Sequence, residues 1–450
     1  MNRFSYFFGA AGVLLCSISS LAWAQAEMDK PPVVNPCLMV REEIVPLRVP
    51  SFDSAAIWKR TAGVKGPDIP RALLPVLDGG YIAIGYSMTH DDKTGFSAPV
   101  ATMIRVNPLG KVLVEKNIDV KDMKSVIDGV LIKDRIVILT ELSTESDSKI
   151  GLLFLNGAGE VKSNPDISLP AVNLIPRSIV SVAGGAQLLI AAEAISKRNE
   201  NDRYTVLIWT DKDGKKIMQK EYLPGIKSRP EFVGRLPNGE LVVTGRVATE
   251  NNQMAAWVMR LSSRGDIIEQ RPYPRGAESV ARRAFALTGG DLIVVGDAMP
   301  AGQGAKAGWI MRLKADGEPM WQKYLTGGYA YSGIDAIQQD DGRITLLLAA
   351  KPSDKGGRHH ARILTLSREG VIMEDSSFIE GSGAIPLRIA KQKDKRVVLG
   401  MAETGFSKET VTADVTTYIA YDTWLVGLAE PQPYQDNCSG SDLRSLDTLP

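Results

Sequence analysis

The stretch FALTGGDLIVVGDAMPAGQGAKAGWIMRLKADGEPMWQKYLTGG, residues 285–328, decides the fold. It reads as an apolar strand start, a Gly289-Gly290 turn and an apolar run over 292–295. A polar loop rich in Gly and Ala leads to a second apolar strand, 308–313. The Ala315-Asp316-Gly317 turn opens a third over 318–324, which ends at Gly327-Gly328. Short apolar runs bounded by Gly, Asp and Asn are strand signals, and degraded copies of this stretch recur along nearly the whole chain.

The repeat has a countable period. Tight turns before the second strand of each unit fall at Gly80, Asp134, Gly185, Gly239, Gly290, Gly342 and Asp394, separated by 54, 51, 54, 51, 52 and 52 residues. Asn238-Gly239 and Asp341-Gly342 have the composition of type I′ hairpins. A second ladder, Gly110, Gly159, Gly214, Gly265, Gly317 and Gly370, marks the turn into each last strand. Seven first turns against six second ones leave the last unit one strand short. Ile57-Trp58-Lys59-Arg60 resembles Met320-Trp321-Gln322-Lys323, and Trp424 matches Trp309 and Trp257. The N-terminal segment therefore supplies the missing strand, which is how a ring of sheets removes its free edges. The expectation is an all-β, seven-bladed β-propeller over 52–430, with four strands per blade and the last blade completed by an N-terminal strand. The alternative, a straight solenoid, would not need its two ends to complement each other.

The ends read differently. Residues 1–24 carry one charge, Arg3, then an apolar run and Ala22-Trp23-Ala24, the pattern of a secretory signal peptide. Leu15 before Cys16 argues against a lipoprotein signal. Residues 25–51 form a proline-punctuated extension, and 431–450 a polar tail. Without the signal two cysteines remain, Cys37 and Cys438, just outside the two ends of the ring. In an exported chain such a pair reads as a disulfide, with two free thiols as the alternative. The expected location is periplasmic or secreted, with no later stretch long and apolar enough to span a bilayer. Fifty-three Lys and Arg against 52 Asp and Glu leave no global field for nucleic acid or an anionic membrane.

Most searches for chemistry return nothing. The three histidines, His90, His359 and His360, form no metal motif, and His359-His360 reads as an exposed polar loop. No P-loop, zinc spacing or nucleophile elbow occurs, and no metal or cofactor site is indicated. One constellation repeats: Arg71, Arg177, Arg229, Arg282-Arg283 and Arg388 each lie six to ten residues before a blade's turn. The first strand of a blade is the innermost, so these side chains would ring one mouth of the central channel. That mouth shares its face with the long loops joining strands two and three, among them 404–416. Arg71, Arg177, Arg282 and Arg388 are the candidate ligand residues, converging on a carboxylate, phosphate or sulfate. Alternatively, each arginine pairs with a local carboxylate such as Asp68, Glu231, Glu278 or Asp335 and holds the blades together.

Asp316-Gly317 followed by Trp321 resembles the repeat motif of bacterial quinoprotein-like (PQQ-like) propellers. Other blades depart from it, carrying Val114, Met218, Glu269 and Glu374 at the tryptophan position. Quinoprotein dehydrogenases use eight such blades, and their calcium and cofactor ligands are not locatable in this chain. The resemblance implies the fold, and by analogy a non-enzymatic periplasmic scaffold such as the propeller of the outer-membrane protein assembly machinery. Two functions stand at this point. One is a non-catalytic exported propeller binding a protein or an envelope polymer through its loop-rich face. The other is a hydrolase or lyase acting on an anionic carbohydrate held by the arginines.

Overall fold

The computed structural model describes residues 39–63, 67–90, 97–144, 147–223, 226–300, 304–353, 357–393, 395–411 and 414–431. The signal peptide, Cys37, Cys438 and Asp394 lie outside these residues. Seven antiparallel sheets follow one another along the chain as the blades of a seven-bladed β-propeller. They span 68–118, 123–167, 172–222, 228–273, 279–326, 329–378 and 383–429. In blade 2 the fourth strand is split into Val161–Ser163 and Asp166–Ile167, both paired with Ser148–Leu155.

The sheets stack face to face, so most strands are apolar on both sides. Seven apolar clusters result, one at each joint between neighbouring blades, including the joint from blade 7 back to blade 1. That is why the central strands read as continuous apolar runs rather than as an alternation. A smaller device repeats on the outer side of these joints. Trp58 of the closing strand lies against Gly110 of blade 1, where a Cβ would come within 2.4 Å of the indole. Trp321 lies likewise against Gly370 of blade 6 and donates Nε1–H to the Arg368 carbonyl at 2.9 Å. Tyr222 and Tyr273 donate their hydroxyls to the carbonyls of Gly265 and Gly317, at 2.7 and 2.8 Å. The second glycine ladder thus serves two purposes: a left-handed turn, with φ between 76° and 88°, and a seat for the preceding blade.

Closure follows the expected register. Trp58–Ala62 pairs antiparallel with Asp414–Ala429, Trp58 opposite Gly427 and Thr61 opposite Trp424. Three features differ from the sequence expectation. Glu42–Pro46, expected only as a surface segment, adds a parallel fifth strand to the outer edge of blade 5, with Glu43 paired to Lys323. The turns at Gly239 and Gly342 have a positive φ at the glycine alone. Leu236 and Gln339 each accept from that glycine's N–H, as in a type I turn closed by a glycine bulge, not a type I′ hairpin. Residues 404–411 and 414–416, expected in a loop, are strand: Lys395–Val411 and Asp414–Ala429 pair with each other. From Gly405, opposite Ala420, to Val411, opposite Asp414, this hairpin runs beyond the start of the innermost strand, Gly383–Gln392.

One irregularity occurs in every blade. The innermost strand carries an extra residue opposite the second strand at Arg71, Ile127, Arg177, Glu231, Arg282, Ile334 and Leu387. Such a bulge bends the strand and re-aims the side chain. In four blades the residue facing the start of the bulge is glycine: Gly85, Gly245, Gly296 and Gly400. The bulge brings the two backbones together there, and a Cβ on Gly296 would stand 1.9 Å from the Val280 carbonyl oxygen. On the other side, Gly245, Gly296 and Gly400 face Trp257, Trp309 and Trp424 in the third strand. Gly296→Ala is therefore expected to cost about 1–3 kcal/mol in denaturant unfolding. Gly304→Ala, at a position with no atom within 4 Å, should be near neutral. Equal stabilities would mean the strands do not approach as described.

Candidate functional site

The seven bulged residues define the mouth of the central channel. All seven line one cavity of about 320 Å3, together with Arg229, Arg283, Arg388, Pro70 and Pro176. The structure thus brings together Arg71, Arg177, Arg282 and Arg388. The mouth lies where strands two and three connect, because the start of each innermost strand pairs with the end of the second, as Asp68 does with Ser87. The paired hairpin of blade 7 extends on this same face.

In blades 1, 3, 4 and 5 the bulged residue meets the residue that follows its facing position on the second strand. In blade 3, Arg177 meets Glu193 at 2.5 Å, and in blade 5 Arg282 meets Asp297 at 2.7 Å. Blade 4 has the signs exchanged: Glu231 meets Arg246 at 3.2 Å, and Arg229 approaches the same carboxylate at 3.2 Å. Blade 1 puts an aromatic ring in the acid's place, so the Arg71 guanidinium lies 5.8 Å from the Tyr86 ring centroid. Blades 6 and 7 carry only apolar groups, Ile334 with Ala349 and Leu387 with Met401.

The next residue of each innermost strand faces along the ring. Asp128 accepts from the Ser178 hydroxyl at 3.0 Å and the Ile179 N–H at 3.3 Å, tying blade 2 to blade 3. Asp335 accepts from the Ile389 N–H at 3.2 Å, tying blade 6 to blade 7, and approaches Arg283 of blade 5 at 3.6 Å. Arg283 also lies 4.8 Å from the Phe232 ring centroid.

Two arginines are left over. Among the described residues, neither Arg71 nor Arg388 forms an ion pair. The Arg71 Nε is buried and makes no hydrogen bond, while the Arg388 Nη1 donates only to the adjacent Leu387 carbonyl at 2.8 Å. Burial, followed by the like charge of Arg283, pulls the Arg388 guanidinium down to about 10, with Arg71 adding to the effect against Asp128 and Asp335. Arg229 is also held below the usual arginine range, by burial and by Arg177 and Arg246, despite Glu231. Arg282 goes the other way: burial opposes its charge, but Asp297 more than offsets it. The mouth is a local excess of positive charge in a chain of nearly balanced composition, and its uncompensated part lies in blades 7 and 1.

The alternative of local pairing thus holds for some arginines and not others: Glu231 and Asp335 meet Arg229 and Arg283 as expected, while Arg177 and Arg282 take other partners. Asp68 accepts from the Ser87 hydroxyl, and Glu278 meets Arg246 at 3.2 Å. Glu193 and Asp297, the acids that pair with Arg177 and Arg282, were not singled out in the sequence. Counting back from the turn missed them, because the bulge shifts the register by one residue. Counting from Gly245 and Gly296, which face Trp257 and Trp309, would have aligned the pairs.

The histidines are a correction. His360 opens the strand His360–Leu366 and is fully buried, between Tyr329 and Phe52 at ring-centroid distances of 4.6 and 5.3 Å. His359 is half-buried, with Nδ1 2.7 Å from Glu403. The pair sits at the joint of blades 6 and 7 and does not line the mouth. Burial lowers the His360 pKa below its ordinary value. A base depressed on folding contributes stability above its unfolded pKa, about 6.5, that is lost as pH falls through the folded value. The melting temperature of His360→Phe should therefore fall less steeply than that of the wild type below about pH 6.5. Parallel curves would mean His360 is not buried in its neutral form.

No protein-family model matches the sequence, and comparison with curated proteins finds no match. Solved β-propeller structures do match. A puromycin hydrolase mutant is 13% identical, with a TM-score of 0.48, over 84% of this chain and 57% of that one. The β-propeller domain of the Trilobed protease from Pyrococcus furiosus is 14% identical, with a TM-score of 0.40, over 65% and 80%. An α-L-arabinofuranosidase from Fusarium graminearum is 10% identical, with a TM-score of 0.45, over 68% and 94%. The chain spans about half the length of the first of these structures, the puromycin hydrolases.

Proposed function

We propose that this protein is an exported, non-catalytic binding propeller whose receptor site is the arginine-lined mouth of its channel. Its partner is a protein or envelope polymer engaged through the face bearing the blade 7 hairpin, and that partner presents an anionic group to the mouth. One observation carries the reading: Arg71 and Arg388 face a common cavity with no carboxylate paired to either among the described residues. A partly desolvated guanidinium without a counter-charge is costly, and a bound anion removes that cost. The alternative, a hydrolase or lyase on an anionic carbohydrate, needs a free acid or base beside the arginines. Glu231 is the carboxylate lining the cavity, and it is shared by Arg229 and Arg246.

Acetate or inorganic phosphate at low ionic strength should raise the melting temperature. Stabilisation should reach about 2–3 kcal/mol when the anion is near a hundred times its Kd. The double variant Arg71→Gln, Arg388→Gln should be at least as stable without anion and should not respond to it. Loss of apo stability together with indifference of the wild type to both anions would overturn the receptor reading and leave the arginines as structural groups.

A further inference from the structure

The cavity at the mouth does not end the channel. Below it a second segment of about 470 Å3 continues along the same innermost strands, and Arg283 and Arg388 line both. The lining changes character at that level. Above are most of the guanidiniums; below are Leu73, Ile179, Phe232, Phe285, Ile337 and Ile389, with the exposed Arg235 at the far end of its strand. Asp128 and Asp335 stand at the boundary, but both are committed to N–H groups of the following blades. Their negative charge opposes deeper entry of an anion, so a charged head is held at the level of Arg71 and Arg388. An apolar chain meets no such barrier and gains by leaving water. Each segment falls within the ~300–1,000 Å3 of small-molecule sites.

We propose that the channel is a receptor for an amphiphilic anion, an aliphatic carboxylate or phosphate. Its head sits on Arg71 and Arg388, and its chain descends the apolar shaft. The inference rests on the anion reading above and adds the chemistry of the ligand's other end. It also places the ligand at the joint of blades 7 and 1, beside the blade that Trp58–Ala62 completes. Head contacts to Arg388 of blade 7 and Arg71 of blade 1 would tie that joint from inside.

The test is calorimetric titration of the full chain with acetate, butyrate, octanoate and octanol, and of the Arg71→Gln, Arg388→Gln variant with octanoate. A methylene buried in the shaft is worth about fourfold in affinity, so octanoate, with six more methylenes than acetate, should bind the wild type on the order of a thousandfold tighter if the whole chain is buried, and at least about tenfold tighter if two methylenes are. Octanol, with the chain but no charge, should bind far more weakly than octanoate, and the double variant should lose octanoate binding. Circular dichroism of that variant must match the wild type, since loss of fold would also remove binding; if it does not match, single Arg→Lys variants with an unchanged spectrum replace it. Equal binding of acetate and octanoate would overturn the amphiphile inference while leaving the anion receptor standing. Octanoate binding that survives in the variant, or octanol binding as tight as octanoate, would overturn both. A wild type that binds none of the four would also overturn both.

Discussion

Everything at the centre of this propeller depends on the close approach of the first and second strands at one level of every blade. There the innermost strand takes in an extra residue, and in four blades its backbone moves against a glycine of its neighbour. Gly245, Gly296 and Gly400 are three of these glycines, and the tryptophans facing them fill the space that the missing side chains leave on the third strand. The bulge also decides which side chains enter the channel. A regular strand would alternate its residues between the two faces of the sheet, where the stacked neighbours would bury them. The bulged residue escapes that alternation, and so Arg71, Arg177, Glu231 and Arg282 reach the cavity beside the charged residues of the regular strand.

The electrostatic pattern follows from the same geometry. Seven equivalent positions are filled with three arginines, one glutamate and three aliphatic residues, and the facing second-strand position matches them in most blades. Arg177 has Glu193, Arg282 has Asp297, and Glu231 has Arg246. Each of these acids also meets a second cation: Arg203 at Glu193, Lys306 at Asp297 and Arg229 at Glu231. Arg71 breaks the pattern by facing Tyr86, and Arg388 breaks it by lying one residue beyond the bulge, acted on by Asp128 and Asp335 but in no ion pair among the described residues. Six arginines line the mouth, and the two in no ion pair among the described residues are these exceptions. They stand in adjacent blades across the closing joint, so the site is one-sided.

Much of the architecture was legible because it is carried by spacing. The two glycine ladders, their count and the likeness of Trp58 to Trp321 predicted seven blades and the closing strand, and the structure shows both. The convergence of Arg71, Arg177, Arg282 and Arg388 was legible for the same reason. What was not legible depends on one-residue offsets and on contacts between blades. A bulge leaves no mark in composition, so the acids opposite Arg177 and Arg282 could not be told from those elsewhere in the blade. Glu42–Pro46 has no glycine turn to announce it and joins blade 5 through parallel pairing from far away in the chain. His360 looked exposed because Gly356-Gly357-Arg358 precedes it, but the polar loop ends one residue before the burial begins.

The most direct measurement of the central claim is anomalous diffraction from crystals soaked in bromide. A peak is expected at the channel mouth between the guanidiniums of Arg71 and Arg388, lost in crystals of the Arg71→Gln, Arg388→Gln variant. Bromide bound only on the outer surface, with none at the mouth, would contradict the claim.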